Sequence, residues 1–224
     1  MGNYGLYEDI AKRTGGDIYV GVVGPVRCGK STFITQFMQN LVVPNIEDKN
    51  TKQRTIDELP QSADGKTIMT TQPRFVPSKA AAIRVDDKVD MNVRMIDCVG
   101  YLIDGALGHE ENQKERLVKT PWSDEEMPFE KAAELGTKKV IDEHSTIGIV
   151  LTTDGSITDI PRSSYVKAEE RVVSELTAQN KPFVVVLNTK LPKSDDAKKL
   201  AKSLEAKYGV PVMPMDVLKL NQNN

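Results

Sequence analysis

The chain has 224 residues, of which 39% are hydrophobic and 28% are charged. These values fit a folded domain with a packed core and exclude global disorder. Lys and Arg number 30 against 32 Asp and Glu, a formal net charge of −2, and this balance excludes wholesale electrostatic capture of nucleic acid or of an anionic membrane. The 2 cysteines exclude a disulfide scaffold and favour a reducing, cytoplasmic setting.

The N-terminal segment does not have the pattern of a targeting signal. Charged residues recur between Glu8 and Asp17, so the apolar core of a signal peptide is missing from this stretch. Residues 19–26 form the longest apolar run, but glycines and a proline interrupt it and it is far too short to span a bilayer. We therefore expect membrane contact only through a partner or through sequence outside this chain.

Strand-like and helix-like segments alternate along the chain. The predicted elements are a buried strand at 19–23, a helix at 30–42, a long polar loop at 44–73, two antiparallel strands at 79–86 and 91–97 joined by a turn, a polar insertion at about 103–127, a helix at 128–143, a buried strand at 146–153, an amphipathic helix at 162–179, a buried strand at 182–188, a helix capped by Ser194 and a last strand at 210–215. This alternation predicts one α/β domain over 1–224, with a mostly parallel sheet, one antiparallel strand and helices on both faces.

The strongest motif lies between the first strand and the first helix, where the sequence fits G-x-x-x-x-G-K-[ST]. In such a loop the glycines let backbone N–H groups surround phosphate oxygens, and the following helix points its positive end at the same anion. The lysine reaches the β- and γ-phosphates, and the next hydroxyl binds Mg²⁺. The residues expected to contact a nucleotide here are Gly24, Pro25, Val26, Arg27, Cys28, Gly29, Lys30, Ser31 and Thr32.

Two further segments carry residues that a nucleotide site would need. Asp97 ends a predicted strand and Gly100 follows it in a D-x-x-G arrangement, so the carboxylate is expected to bind Mg²⁺ and the glycine N–H to meet the γ-phosphate. Thr70 and Thr71 lie in the first long loop. Either is a candidate to bind Mg²⁺ and the γ-phosphate, although an ordinary hydroxyl-rich loop explains them equally well.

The residues after the strand at 182–188 bear on the choice of base. Related GTP-binding proteins read guanine with N-K-x-D, and here the corresponding residues are Asn188, Thr189, Lys190 and Leu191. The carboxylate that would accept the guanine N1 and N2 protons is replaced by Leu191, and leaving those donors unpaired is costly. The sequence therefore predicts a pocket for ATP, with Asn188 among its residues.

Several other residues are interpreted as structural. Cys28 and Cys98 are expected to lie near the nucleotide, and small packing residues explain them better than a redox switch. Four charged or polar candidates are assigned to solvent or to structure: the histidines His109 and His144, which have no partner at metal-ligand spacing, and the arginines Arg27 and Arg54, which remain alternatives for an arginine finger acting within or between chains. Trp122 is expected to anchor the insertion.

Longer segments resemble the stage IV sporulation protein A family. They are YEDIAKRTGGDIYVGVVGPVRCGKSTFI, DELPQSADGKTIMTTQPRFVP, NVRMIDCVGY, KTPW and EHSTIGIVLTTDGSITDIPR, within a resemblance from about Leu6 to Asp216. It implies a fold derived from translation-factor-type GTPases that hydrolyses ATP. It further implies that turnover drives self-assembly into the base of the spore coat, on the forespore surface in the mother-cell cytoplasm.

The resemblance also has consequences for single residues and for length. Lys30, Asp97 and the pair Thr70 and Thr71 match the family's phosphate-loop, Mg²⁺ and nucleotide-sensing positions, whereas Cys28 stands where the family has a threonine. Family members are longer, with a middle domain and a C-terminal domain that engages a small amphipathic membrane peptide and other coat proteins. The chain is thus expected to be the isolated nucleotidase domain, which polymerises fully only in the longer protein.

A second hypothesis comes from a different functional class. It is a GTP-dependent regulatory switch with slow turnover, in which bound nucleotide changes the two long loops to recruit partners. A small-molecule kinase is less well supported, because the D-x-x-G layout does not provide an acceptor-binding lid.

Overall fold

The structure, a computed structural model, describes residues 17–60, 72–85, 89–106, 110–111 and 114–221. The strands in these residues are β1 (Asp17–Val23), β2 (Arg74–Val85), β3 (Val89–Asp97), β4 (Glu110–Glu111), β5 (Lys114–Glu115), β6 (Leu117–Thr120), β7 (Ser123–Pro128), β8 (Ile147–Thr153), β9 (Phe183–Asn188) and β10 (Val212–Met215). The α-helices are α1 (Lys30–Phe37), α2 (Lys49–Asp57), α3 (Phe129–Lys139), α4 (Arg162–Ala178) and α5 (Asp195–Tyr208).

Six of the described strands form one sheet in the order β10-β9-β8-β1-β3-β2. The pairs from β10 to β3 are parallel, and β2 pairs antiparallel with β3. This arrangement confirms the predicted fold class, a mostly parallel α/β sheet with one antiparallel strand. Strands β8 and β9 are apolar because helices cover parallel sheets, and their central residues Val150, Leu151, Val185 and Val186 are at most 1% exposed.

Most predicted helices are present with bounds close to those expected. The helix predicted at 30–42 consists of α1 and a π-helical turn over Met38–Val42, and the one predicted at 128–143 consists of α3 and a second π-helical turn over Val140–His144. Ser194 caps α5 as predicted, since its hydroxyl accepts a hydrogen bond from Ala197 N at 3.2 Å. None of the described helices has the length and apolar composition needed to cross a bilayer.

The prediction of a loop throughout 44–73 is wrong, because α2 lies inside it. Asp48 begins this helix, and its carboxylate accepts a hydrogen bond from Thr51 N at 2.6 Å. The helix buries Thr55 but leaves Ile56 40% exposed, so it lacks the apolar stripe that identifies a helix in a sequence. The Asp48 cap and tertiary contacts therefore stabilise α2, although its sequence lacks the apolar periodicity from which a helix is predicted. Residues 61–71 lie outside the described residues.

Two other segments contain more β-structure than predicted. Strand β2 begins at Arg74 rather than near residue 79, and its register with β3 shifts between Val76 and Ala81. Pro77 lies at this irregularity. Because a proline cannot donate to a sheet ladder, the sequence pattern did not predict strand structure on its N-terminal side. The polar insertion contains two small antiparallel pairs, β4 with β5 and β6 with β7. The predicted turn at 86–88 lies outside the described residues.

Strand β10 lies at one edge of the sheet and pairs only through one side with β9. The carbonyl groups of Pro211 and Met215 accept hydrogen bonds from Val185 N and Thr189 N, each at 3.0 Å. Because successive residues of a strand direct their backbone groups to opposite sides, Pro214 faces away from β9.

A buried carboxylate joins two helices to the sheet. Glu169 of α4 is fully buried, and the Arg162 guanidinium lies against both of its oxygens at 2.7 and 2.8 Å. The Tyr208 hydroxyl, at the end of α5, donates to the same carboxylate at 2.6 Å, and the Thr152 hydroxyl of β8 donates to it as well. The charge is therefore paired and fully hydrogen-bonded, as burial requires.

We expect Glu169→Ala to lower the free energy of unfolding by about 3 kcal/mol, because it leaves the partly buried Arg162 guanidinium and the Tyr208 hydroxyl without their acceptor. Urea denaturation measures this change. Glu170→Ala is the matched control, since Glu170 pairs with Lys207 at the surface with side chains 46% and 45% exposed. Its effect should stay below about 1 kcal/mol, and equal losses in the two variants would contradict the assignment.

Candidate functional site

The loop between β1 and α1 is held closely against the neighbouring strands. Gly24 has a φ of 146°, and a Cβ there would lie 2.1 Å from Leu151 O. Gly29 has a φ of 99°, and a Cβ there would lie 2.6 Å from Asn188 Nδ2. Only glycine fits these two positions, so both motif glycines are explained by backbone conformation and by lack of space.

Lys30 is the first residue of α1, and it lies inside this loop. The residue is 5% exposed, and its Nζ donates to Pro25 O at 2.6 Å and to Gly24 O at 3.4 Å. The first turn of α1 has no side-chain cap. An ammonium group and an uncapped helix N-terminus at one loop are a favourable setting for an anion.

Ser31 and Asp97 are brought into direct contact, as the sequence predicts for a metal-binding pair. Ser31 Oγ donates to Asp97 Oδ2 at 2.7 Å, while Asp97 Oδ1 is buried without a hydrogen-bond partner among the described residues. Burial raises the pKa of Asp97, although the hydrogen bond from Ser31 and the charge of Lys30 oppose this. A hydroxyl and a carboxylate with an unused oxygen are ligands that Mg²⁺ prefers, so these residues fit that ion.

The D-x-x-G segment is fastened directly to the phosphate loop. A Cβ on Gly100 would lie 2.1 Å from Gly24 O and 2.5 Å from Lys30 Nζ, and Val26 N donates to Tyr101 O at 2.9 Å. On its other side, Gly100 N donates to the hydroxyl of Thr137 in α3 at 3.1 Å. The structure thus places Gly100 beside the predicted phosphate site, with its N–H bound to a side chain.

Asn188 links three segments around the loop. Its Nδ2 donates to Cys28 O at 3.0 Å, and its Oδ1 accepts from Val217 N at 3.2 Å. The residue is 5% exposed. Asn188 therefore braces the phosphate loop against the end of β9 and the turn after β10.

The residues that follow β9 do not offer a free carboxylate. Leu191 is 68% exposed. Thr189 Oγ1 donates to Asp154 Oδ2 at 2.6 Å, and Asp154 Oδ1 accepts from the backbone N–H and the hydroxyl of Ser156 at 2.9 and 2.6 Å. The carboxylate at this edge of the sheet thus already has donors on both oxygens.

The remaining predicted residues are spread around this centre. Thr70, Thr71 and His109 lie outside the described residues. Cys28 and Cys98 are 0% and 6% exposed, and burial raises the pKa of both thiols, that of Cys98 to about 11. These thiols are packed rather than ionised, in agreement with their interpretation as small packing residues.

Other polar candidates have distinct surroundings. Arg27 adopts a φ of 61° and lines an open cavity of about 440 Å³ with Asp104 and Asp159. Arg54 lies on α2, and its Nε is buried without a hydrogen-bond partner in the described part of the chain. His144 packs edge-on against Phe75 with ring centroids 5.6 Å apart. Trp122 lies in the turn between β6 and β7, and the centre of its ring is 5.8 Å from Lys139 Nζ.

Comparison with known proteins identifies the family. The whole chain, residues 1–224, matches the model described as stage IV sporulation protein A, ATPase domain. The chain belongs to this family. It is 61% identical over 222 residues to stage IV sporulation protein A of Clostridioides difficile strain 630, covering 99% of this chain and 45% of that protein. The family's protein from Bacillus anthracis is 54% identical over 219 residues, covering 98% and 44%.

These matches confirm the family resemblance, and they link the chain to sporulation. The chain spans less than half the length of the curated family proteins it matches. Among solved structures, Era in complex with MgGDPNP and a segment of 16S ribosomal RNA superposes with a TM-score of 0.54 at 14% identity, covering 93% of this chain and 53% of that one. This likeness shows that the chain shares the fold of Era-type P-loop GTPases.

Three residues at the site were not identified from the sequence. Thr137 lies near the end of α3, and a threonine there carries no sequence signal of a contact with another segment. Tyr101 directly follows the D-x-x-G glycine, and its hydroxyl donates to Glu175 of α4. Asp154 directly follows β8, and an acidic residue at the carboxyl end of a parallel strand is the one signal that could have found it.

In the absence of nucleotide and metal ions, we expect Asp97→Asn to stabilise the domain at neutral pH. Because the pKa of Asp97 is raised in the folded chain, the stability contributed by its protonated form is lost as the pH rises above about 4. The neutral variant should gain about 1.4 kcal/mol over wild type for each unit by which the pKa is raised.

Urea unfolding at intervals between pH 4 and pH 8 tests this expectation. The difference in unfolding free energy between Asp97→Asn and wild type should grow with pH and then level off. A difference that is independent of pH would contradict the raised pKa of Asp97.

Proposed function

We propose that this domain binds ATP at the β1–α1 loop and hydrolyses the bond to its terminal phosphate. The observation that carries the proposal is the hydrogen bond of 2.7 Å between Ser31 Oγ and Asp97 Oδ2, made beside the ammonium group of Lys30. Phosphoryl transfer is governed by positioning and by neutralisation of charge, and this loop provides groups for both. Membership of a family named for its ATPase domain supports the same reaction.

Lys30, the first turn of α1 and one of two threonines have separate roles in the proposed reaction. Lys30 exchanges its contacts with the Gly24 and Pro25 carbonyl groups for contacts with phosphate oxygens, which neutralises the charge that develops on them. The uncapped first turn of α1 offers backbone N–H groups to the same phosphates. Among the described residues around the loop no general base is evident, which suits a reaction controlled by position and charge. Thr70 or Thr71 orients the attacking water.

Magnesium fits the oxygen atoms that the structure brings together. Ser31 and Asp97 would hold the ion, together with Thr70 or Thr71. When bound, Mg²⁺ supplies positive charge to the β- and γ-phosphates.

The preference for ATP over GTP is supported by the residues after β9. Guanine offers two adjacent donors that need a carboxylate, and the position that would supply it carries Leu191, 68% exposed. Asp154 is near this position, but its oxygens already accept from Thr189 and Ser156. Adenine does not need such an acceptor.

We further propose that ATP turnover drives self-assembly of the full-length protein into the base layer of the spore coat, on the forespore surface within the mother-cell cytoplasm. Membership of the stage IV sporulation protein A family supports this role. The small amphipathic membrane peptide and the other coat proteins would be engaged by regions that this chain does not include, because the curated relatives are more than twice as long.

Lys30→Ala is expected to reduce ATP turnover by about a hundredfold or more, since it removes the ammonium group from the phosphates. Phosphate release from purified domain measures this. Lys49→Ala, at an exposed position on α2, is the control and should leave the rate unchanged. In the full-length protein, sedimentation should show that Lys30→Ala also prevents assembly. Equal turnover by Lys30→Ala and wild type would contradict the role of the loop.

Competition against a fluorescent ATP analogue tests the choice of base. ATP should displace the analogue better than GTP, and Leu191→Asp should raise the affinity for GTP relative to ATP by about tenfold, because it restores an acceptor for guanine. Leu218→Asp is the matched control. Leu218 is also 68% exposed, and the substitution adds the same charge after β10, the strand next to β9. Stronger displacement by GTP with the wild-type domain would favour the GTP-dependent regulatory switch instead.

A further inference from the structure

The hydrogen bond between Gly100 and Thr137 occupies the donor that a terminal phosphate would need. Gly100 N donates to Thr137 Oγ1 at 3.1 Å, and the Thr137 hydroxyl in turn donates to Ala133 O at 2.8 Å. Thr137 is fully buried. Its hydroxyl therefore donates within α3 and accepts from Gly100, and both hydrogen bonds lie in the buried interior.

The chain on both sides of this peptide is fixed to the phosphate loop or to the helices. Before it, Asp97 accepts from Ser31 at 2.7 Å. After it, Tyr101 O accepts from Val26 N at 2.9 Å, and the guanidinium of Arg171 lies 4.0 Å from the centre of the Tyr101 ring. Movement of this segment is thereby restricted to the short stretch between Asp97 and Tyr101.

Gly100 has the backbone freedom that such a movement requires. Its φ is 91°, in the region that glycine occupies at little cost. A Cβ on Gly100 would lie 2.5 Å from Lys30 Nζ, so the residue is beside the ammonium group that the proposed function assigns to the phosphates. Rotation of the peptide between Val99 and Gly100 redirects one N–H without moving the fixed segments around it.

We propose that Thr137 and the terminal phosphate of ATP compete for the N–H of Gly100, which makes Thr137 a positioning residue that sets the discrimination between ATP and ADP. The inference rests on the proposed function, since it needs a nucleotide at the β1–α1 loop. ATP must break the bond to Thr137 before its γ-phosphate receives the Gly100 donor. ADP lacks that phosphate and leaves the bond in place.

Competition for the Gly100 N–H changes the affinity of the chain for ATP relative to ADP. A ligand shifts an equilibrium between two conformations only by its difference in affinity for them. Removing the Thr137 acceptor leaves the buried Gly100 N–H unpaired in the conformation that ADP selects, and so favours the conformation that ATP selects. The affinity for ATP should then rise relative to that for ADP.

Calorimetric titration of the 224-residue chain with Mg²⁺ and either β,γ-imido-ATP or ADP measures this ratio. Thr137→Val keeps the side-chain volume but removes the acceptor, and it should raise the ratio of the ADP Kd to the imido-ATP Kd about five- to tenfold. Thr137→Ser keeps the hydroxyl and should leave the ratio as in wild type. If Thr137→Val changes both affinities by the same factor, Thr137 is only structural and the proposal fails.

The amide resonance of Gly100 in the wild-type chain gives an independent test that does not depend on the folding of a variant. Its chemical shift should change with imido-ATP and stay in place with ADP. An amide that responds equally to both nucleotides, or to neither while both bind, overturns the competition and leaves the proposed function intact. A wild-type chain that binds neither nucleotide overturns the proposed function, and with it this inference.

Discussion

The parallel pairing of β1 between β3 and β8 places three strand ends side by side, and the candidate site depends on this alignment. Val22 is in register with Asp97 on one side, and Val23 is in register with Val150 on the other. The loop that begins at Gly24 therefore leaves the sheet beside the Asp97 carboxylate. The contact between Ser31 and Asp97 follows from this register, because α1 begins within a few residues of the strand end.

Burying Lys30 and an oxygen of Asp97 at this edge of the sheet costs electrostatic free energy. Asp97 has one buried oxygen without a partner among the described residues, and Lys30 donates to loop carbonyl groups rather than to a carboxylate. Neither charge is fully compensated by the chain itself. Such uncompensated groups are typical of sites where stability is given up for binding, and a phosphate with its cation would complement both of them.

The sequence was sufficient to predict the sheet, and it placed Ser31 and Asp97 in one candidate site, because both inferences depend on local patterns. Apolar runs predicted the strands, and the G-x-x-x-x-G-K-S spacing predicted a phosphate loop after the first of them. Helix α2 could not be predicted in this way, since its burial of Thr55 rather than an apolar stripe gives no periodic signal. Thr137 was missed for a related reason. It meets Gly100 across 37 residues, and a contact of that range is set by packing rather than by sequence spacing.

The outward face of β10 limits how copies of this domain can associate. Along this edge strand, Pro211 and Met215 direct their carbonyl groups to β9, so Val212 and Pro214 present their backbone to the outside. A proline has no N–H, which leaves Val212 as the donor that this short strand can offer to a further strand. Growth of a continuous sheet from copy to copy is therefore disfavoured at this edge. Contact between copies at this edge would therefore have to use side chains, which can be altered one residue at a time.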